Sequence, residues 1–250
     1  MHSVNAATCV SNVQFNQRGL TMSKLSVLIP VFNEKDTILK LIEKVEASHI
    51  NIEKEILIAD DCSTDGTRAM LEGLCGKEGM EIHFMDKNVG RGAIIKYLWQ
   101  KVTGDIIIHQ DADLEYDPDE YQSLLDPIID DRADVVYGSR FKGNIRKMKK
   151  MNNLGNRVMT LMTNILYSSN LTDLMTCYKM YRTKLIEGLN IKSNGFNFEA
   201  EFTARLVQRG ARFEERPISF VGRSFEEGKK IRMIHAFHVT QKLLSCKFTK

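Results

Sequence analysis

The sequence predicts an α/β protein built around a mostly parallel, doubly wound sheet with helices on both faces. Short apolar runs with strand character alternate along the chain with segments of about 10–15 residues that carry apolar side chains at helical spacing. Polar or acidic clusters follow directly after several of these runs. Ligands bind at the carboxyl ends of the strands in sheets of this class, so the clusters are expected to share one crevice.

The alternation is clearest in the first half of the chain. Residues 24–31 (KLSVLIPV) form an apolar run that ends in a polar turn, and residues 36–48 follow with apolar side chains at helical spacing. The turn formers of "DCSTDGTRAML" then predict the start of a short helix. The other strands are expected over residues 55–59, 80–85, 105–109 and 134–137, and the other helices over 90–102 and 118–130.

The second half of the chain is less regular. Residues 141–150 are expected to form a basic loop. Residues 151–167 have the apolar spacing of an amphipathic helix, and residues 198–208 are predicted as another helix that ends near Gly210. Residues 212–220 are predicted to be extended. With no internal repeat in the sequence, one large domain is the expected organisation.

Composition excludes several classes of protein. The 250 residues carry a net charge of only +3, which does not indicate a nucleic-acid binder. The five cysteines are widely spaced and contain no C-x-x-C pair, which favours a reducing compartment over a disulfide framework or zinc site. Apolar runs of about 18 residues are absent, so no membrane-spanning helix is predicted. Residues 1–23 lack the features of a signal peptide and are expected to be a disordered extension.

An acidic cluster, "HQDADLEYDP", follows the apolar run 106–108. Carboxylates placed this close together repel one another unless a cation or hydrogen-bond donors compensate them. Asp111 and Asp113 could hold Mg²⁺ or Mn²⁺, which prefer carboxylate oxygens, and Glu115 could add a ligand if the backbone stays extended. The alternatives are a solvated acidic turn or a set of caps for the following helix.

Five segments in this order resemble the inverting glycosyltransferases of family 2. They are "LSVLIPVFNE", "IADDCSTDGT", "KNVGRGAI", "DADLEYDP" and "VVYGSRF". The later segments "LTDLMTCYKMYR" and "GRSFEEGKKI" are similar to the branch that acts on dolichyl or undecaprenyl phosphate. The resemblance implies a GT-A fold over residues 24–231, with a Rossmann-like sheet flanked by helices and a C-terminal extension on the acceptor side. Residues 232–250 would be a basic amphipathic tail.

The resemblance also assigns roles to particular residues. Asp111, Asp113 and Arg140 would be catalytic, with Asp113 and Glu115 as ligands of Mg²⁺ or Mn²⁺. Arg140, just after the strand predicted over residues 134–137, would bind the acceptor phosphate. The residues expected to bind substrate are Pro30, Phe32, Glu34, Ile58 and Asp60 for the base and ribose, Asp111 and Ala112 beside the ribose, Arg140 for the acceptor, and Arg223 and Lys229 for the donor diphosphate.

The implied reaction moves a hexose from GDP-mannose or UDP-glucose to a polyprenyl phosphate. A phosphate monoester with a second pKa of about 6 is already a nucleophilic dianion near neutral pH, so no strong general base is required. Asp173 and Lys179 are candidate supports, although Cys177 replaces a glycine that related enzymes carry between them.

A membrane surface is the expected partner, since the basic loop 140–150 lacks the aromatic side chains of a nucleic-acid platform. The enzyme is therefore expected to be peripheral at a cytoplasmic membrane face, with a membrane protein as a candidate partner. Three alternatives remain: transfer to a saccharide hydroxyl, a non-catalytic nucleotide-sugar-binding subunit, and a nucleotidyltransferase. The last typically begins with a glycine-rich basic loop, which the segment after Val27 lacks.

Overall fold

The computed structural model describes residues 24–148, 150–195, 197–223 and 234–248. The extension predicted over residues 1–23 lies outside the described residues, as does Lys229. Within those ranges, none of the helices combines the length and the apolar character needed to cross a bilayer.

The described residues form seven strands and seven α-helices. The strands are β1 (Lys24–Val31), β2 (Glu53–Asp60), β3 (Met80–Phe84), β4 (Ile106–His109), β5 (Val135–Arg146), β6 (Lys179–Arg182) and β7 (Phe213–Val221). The helices are α1 (Ile38–Ala47), α2 (Thr67–Glu72), α3 (Arg91–Trp99), α4 (Tyr121–Ile129), α5 (Lys150–Tyr167), α6 (Phe198–Gln208) and α7 (Ile234–Phe248). Short 3₁₀ turns cover Pro118–Glu120 and Thr183–Ile186.

The strands make one sheet in the order β3-β2-β1-β4-β6-β5-β7. Strand β1 is parallel to β2 and β4, β2 is parallel to β3, and β5 is parallel to β7. Only β6, among these strands, runs antiparallel, and it separates β4 from β5. The α/β class and the mostly parallel sheet are confirmed. The carboxyl ends of β1, β2, β4 and β5 consequently meet at the same edge.

The apolar runs that predicted β1 and β4 are buried on both faces of the sheet. On one face, Val27 and Ile29 pack in a cluster that includes the buried side of α1. On the other face, Leu28 and Ile107 pack with residues of α3 and α6. Because successive side chains of a strand point to opposite faces, burial of both faces requires a continuous apolar run.

Strand β5 is longer than predicted. It continues to Arg146, so the loop expected over residues 141–150 is wrong for its first part. After an irregularity between Ser139 and Asn144, the strand pairs with β7 again at Asn144–Arg146. The polar extension was missed because the backbone of β7 holds it, and its own side chains carry no apolar alternation.

Helix α5 matches the predicted amphipathic helix, but much of its apolar face points outward. We call the exposed apolar residues of this helix the α5 stripe: Met151, Leu154, Val158, Leu161 and Ile165. The inward face is formed by Met159, Thr160, Thr163 and Tyr167, which are all buried. Helix α7 packs beside it, and Leu243 and Cys246 share a core cluster with Tyr167.

Acid is expected to destabilise the fold through Glu55 at the start of β2. Burial alone would raise the pKa of this carboxyl, but hydrogen bonds from Lys24, Ser26 and Thr103 outweigh it and lower the pKa from 4.5 to about 2. Unfolding releases these bonds, so the unfolded state binds more protons as pH falls from 4.5 toward 2. The unfolding free energy of Glu55→Gln should therefore fall by about 2–3 kcal/mol less than that of the original protein as the pH drops from 4.5 toward 2.

Denaturant titrations of both proteins at neutral pH and near pH 3 would measure this effect. An identical pH dependence in the two proteins would show that Glu55 does not carry it.

Candidate active site

A cleft of about 370 Å³ opens at the carboxyl edge of the sheet. Eight of the residues predicted for substrate or metal line it: Pro30, Phe32, Glu34, Asp111, Ala112, Asp113, Glu115 and Arg223. They come from the end of β1 and from the segments after β1, β4 and β7. The sheet therefore gathers side chains that lie far apart in the sequence.

The acidic cluster turns sharply between its two metal-ligand candidates. Leu114 has a φ of 61°, so the extended backbone expected for Glu115 is wrong, and a turn rather than an extended chain brings Glu115 to the cleft with Asp113. The N–H of Glu115 donates to Oδ1 of Asp113 at 3.1 Å across this turn. Burial, together with the negative charges of Glu115 and Asp111, raises the pKa of Asp113 to about 8. The site therefore concentrates more negative charge than its surroundings neutralise.

Arg223 is placed against Glu34, Asp113 and Glu115. Its Nη1 and Nη2 donate to the two oxygens of Glu34 at 2.8 and 3.0 Å. Nη2 also donates to Oδ2 of Asp113 at 3.0 Å, and the backbone N–H donates to Oε1 of Glu115 at 2.7 Å. Arg223 thus joins the ends of β1, β4 and β7 across the cleft.

The donor set fits a divalent cation that also takes ligands from its substrate. In the part of the chain that the structure describes, no three His, Cys, Asp or Glu side chains are grouped as a complete metal site. Mg²⁺ is commonly held by one or two carboxylates and completes its shell with water and substrate phosphate oxygens. Asp113 and Glu115 offer hard oxygen donors of this kind, in a position with excess negative charge.

Asp61, rather than its neighbour Asp60, lines the cleft. Its carboxylate accepts hydrogen bonds from the N–H groups of Val89 and Gly90 at 2.6 and 2.9 Å. The carboxylate of Asp60 is fully buried and accepts from Nε of Arg68 at 2.9 Å. The sequence analysis assigned Asp60 to the base or ribose, but in this structure Asp60 is buried and its neighbour Asp61 lines the cleft.

Six further residues line the cleft that were not among those assigned to substrate or metal in the sequence analysis. They are Val31, Asn88, Gly90, Ile94 and Gly195, together with Arg91 at the start of α3. Ile58, which was expected in the base pocket, belongs to the hydrophobic core and does not line the cleft.

Arg91 links the cleft to a buried group of charges. Its Nε donates to Oδ1 of Asp111 at 2.9 Å, and its Nη1 donates to Glu199. The other carboxylate oxygen of Glu199 accepts from Lys179, whose side chain is fully buried. Burial would raise the pKa of Glu199, but Lys179 and Arg91 hold it below its usual value. This Arg91–Glu199–Lys179 cluster fixes Arg91 and, through it, one side of Asp111.

Arg140 was expected to reach the cleft from its position on β5, but it is not among the residues that line it, and its guanidinium is paired with Asp173. Its Nε and Nη2 donate to the two oxygens of Asp173, both at 2.7 Å. Side-chain exposure is 7% for Arg140 and 0% for Asp173. The physical reason is that a carboxylate buried this deeply needs a paired cation. The ring of Phe220 lies 5.1 Å from the guanidinium and covers it further.

Residues 26–189 match the family model described as "Glycosyl transferase family 2". Among curated proteins, the polyprenol monophosphomannose synthase of Mycolicibacterium smegmatis is 27% identical over 81% of this chain and 79% of its own length. The undecaprenyl-phosphate mannosyltransferase of Micrococcus luteus is 27% identical over 82% of this chain and 87% of its own.

Solved structures share the fold. The crystal structure of glucosyl-3-phosphoglycerate synthase from Mycobacterium tuberculosis, in complex with Mn²⁺, UDP and phosphoglyceric acid, superimposes with a TM-score of 0.69. The alignment covers 91% of this chain and 80% of that one at 16% sequence identity. At this identity the likeness establishes the architecture of the chain.

Proposed function

The chain belongs to glycosyl transferase family 2, and on that basis we propose that it transfers a hexose from a nucleotide-diphospho sugar to a polyprenyl phosphate. The cleft carries the proposal, because it gathers Asp111, Asp113, Glu115 and Arg223 at the ligand-binding edge of the sheet. The two mannosyltransferase relatives, whose names specify polyprenol or undecaprenyl phosphate, support this acceptor class.

The proposed donor lies along the cleft with its base near β1 and its diphosphate near β4. Phe32 supplies an apolar surface for the base, and Asp61 an acceptor for a base or ribose donor group. Arg223 supplies positive charge for the diphosphate. Asp113 and Glu115 would hold Mg²⁺ or Mn²⁺, which would neutralise charge on the departing diphosphate. The glucosyl-3-phosphoglycerate synthase of this fold has been crystallised with UDP and Mn²⁺ and with UDP and Mg²⁺.

The proposed acceptor chemistry is a direct displacement. A phosphate oxygen forms a bond to the anomeric carbon while the bond from that carbon to the diphosphate oxygen breaks, which inverts the anomeric configuration. The acceptor phosphate is already ionised near pH 7 and has no proton to lose. Positioning of the two reactants is then the main task of the protein.

A donor and acceptor screen tests this function. Purified protein with Mn²⁺ or Mg²⁺ and a short polyprenyl phosphate is offered GDP-mannose, UDP-glucose and related donors. We expect one donor to yield lipid-linked sugar and an equal amount of nucleoside diphosphate, and a chelator to stop both. The proposed location at a cytoplasmic membrane face follows from a lipid-linked acceptor and a nucleotide-linked donor.

The other outcomes of the screen separate the alternatives. Glycosylation of a saccharide, with no lipid product, would overturn the acceptor and support transfer to a hydroxyl. Tight donor binding without turnover under all conditions would support a non-catalytic nucleotide-sugar-binding subunit.

A further inference from the structure

We propose that the α5 stripe and the exposed basic residues beside it, Arg146, Lys147 and Arg157, form a docking surface for an anionic lipid bilayer. The inference extends the proposed function, since it places the cleft at the membrane that would contain the lipid acceptor. It rests on the exposure of the stripe, the charge of the segment around it and its connection to the cleft.

The stripe is a continuous apolar surface. Its members recur at intervals of three and four residues, which places them on one side of the helix. Their exposed fractions are 57% for Met151, 60% for Leu154, 47% for Val158, 59% for Leu161 and 72% for Ile165. A soluble protein exposes single apolar side chains commonly, but an aligned row of five marks an interaction surface.

The opposite side of α5 packs against the rest of the protein. The stripe is therefore the outer face of a helix that is held in place. Tyr167 is buried, and its hydroxyl donates to the backbone oxygen of Leu243 in α7 at 2.6 Å. Asn164 donates from Nδ2 to the backbone oxygen of Leu171 at 2.8 Å. These contacts fix the rotation of the helix about its axis and keep the stripe directed outward.

Charge identifies the kind of partner. Residues 146–167 contain five lysines and arginines and no aspartate or glutamate, although the whole chain carries a net charge of only +3. Arg146, Lys147 and Arg157 are exposed. Basic residues near an anionic membrane strengthen binding through electrostatic attraction to the lipid headgroups. The spacing of the stripe would also suit a second helix, but two copies of so basic a segment would repel each other.

The surface is connected to the cleft through β5. The backbone N–H of Gly222 donates to the oxygen of Arg146 at 2.9 Å, just before α5 begins. The next residue, Arg223, reaches Glu34 and Asp113 inside the cleft. A bilayer against α5 would therefore hold phosphate headgroups near the cleft, where the proposed acceptor reacts.

Vesicle flotation with the full chain tests the docking surface. Vesicles of phosphatidylcholine alone are compared with vesicles in which phosphatidylglycerol is a substantial minority. We expect binding to the mixed vesicles and weaker binding to the neutral ones. The double variant Leu161→Glu, Ile165→Glu should bind the mixed vesicles at least about tenfold more weakly, because it places two charges in the apolar contact.

Leu39→Glu is the matched control, since Leu39 is 40% exposed on α1, outside the stripe. It should bind vesicles like the original protein, and circular dichroism should show that all variants are folded. Equal loss of binding in this control, or no vesicle binding by the original protein, would overturn the inference. The inference would also be overturned if the original protein sedimented as a dimer, the stripe variant as a monomer, and both bound vesicles equally well.

Transfer to a short, detergent-dispersed polyprenyl phosphate separates this inference from the proposed function. The stripe variant should retain that transfer. Vesicle binding without transfer to any lipid would refute the function and leave the surface standing. Transfer to the dispersed lipid without vesicle binding would support the proposed function and refute the docking surface.

Discussion

Asp113→Asn is expected to lower the rate of sugar transfer by about a thousandfold while the fold remains intact. The substitution removes a charge from the most acidic part of the cleft. Burial and the nearby carboxylates of Glu115 and Asp111 already raise the pKa of this group to about 8, so its negative charge is unfavourable in these surroundings. Arg223 keeps both of its bonds to Glu34 in the variant. Thermal stability should therefore be unchanged or slightly higher.

Asp117→Asn provides a control in the same segment. The side chain of Asp117 is 44% exposed and does not line the cleft. This variant should transfer sugar at nearly the original rate. Initial rates and donor affinity should be measured for both variants over a range of Mg²⁺ and Mn²⁺ concentrations. Full activity of Asp113→Asn with an unchanged metal requirement would remove Asp113 from the metal site.

The largest expected effect on stability comes from Asp173→Ala. The substitution leaves the guanidinium of Arg140 buried without its carboxylate partner, which typically costs about 3–5 kcal/mol. Removing both charges together, as in Asp173→Ala with Arg140→Met, should recover most of this loss because no isolated charge then remains. Denaturant unfolding of the two single variants and the double variant would measure the coupling between the residues.

Lys77→Ala supplies a comparison from the protein surface. Lys77 pairs with Glu46, and both side chains are substantially exposed, so this substitution should change the unfolding free energy by less than about 1 kcal/mol. A similarly small effect of Asp173→Ala would mean that water or another group reaches Arg140.

This pair also affects how the predicted acceptor role of Arg140 should be tested. Loss of transfer in a single Arg140 variant would combine loss of a phosphate contact with loss of folded protein. Comparison with a variant of equal stability in which Arg140 is retained would separate the two effects. Transfer to the lipid should be measured under conditions in which both proteins are fully folded.

The sequence was most informative where burial alone determines the structure. The continuous apolar runs of β1 and β4 predicted strands buried on both faces, and the acidic residues after β4 predicted a charged cleft. The buried ion pair of Arg140 with Asp173 was not predicted, because the two residues lie 33 positions apart in the sequence. The outward direction of the α5 stripe was also missed. Apolar spacing defines one side of a helix but does not determine whether that side meets the core.

The Arg91–Glu199–Lys179 cluster limits how this protein can diverge. Its members come from α3, α6 and β6, and Glu199 is the carboxylate that both cations share. A lineage that lost Glu199 alone would leave Lys179 without its ion pair in the interior, while Arg91 would keep its ion pair with Asp111. The three positions should therefore covary during evolution. A chimera that receives α6 from a relative with a neutral residue at this position would need compensating substitutions in both α3 and β6.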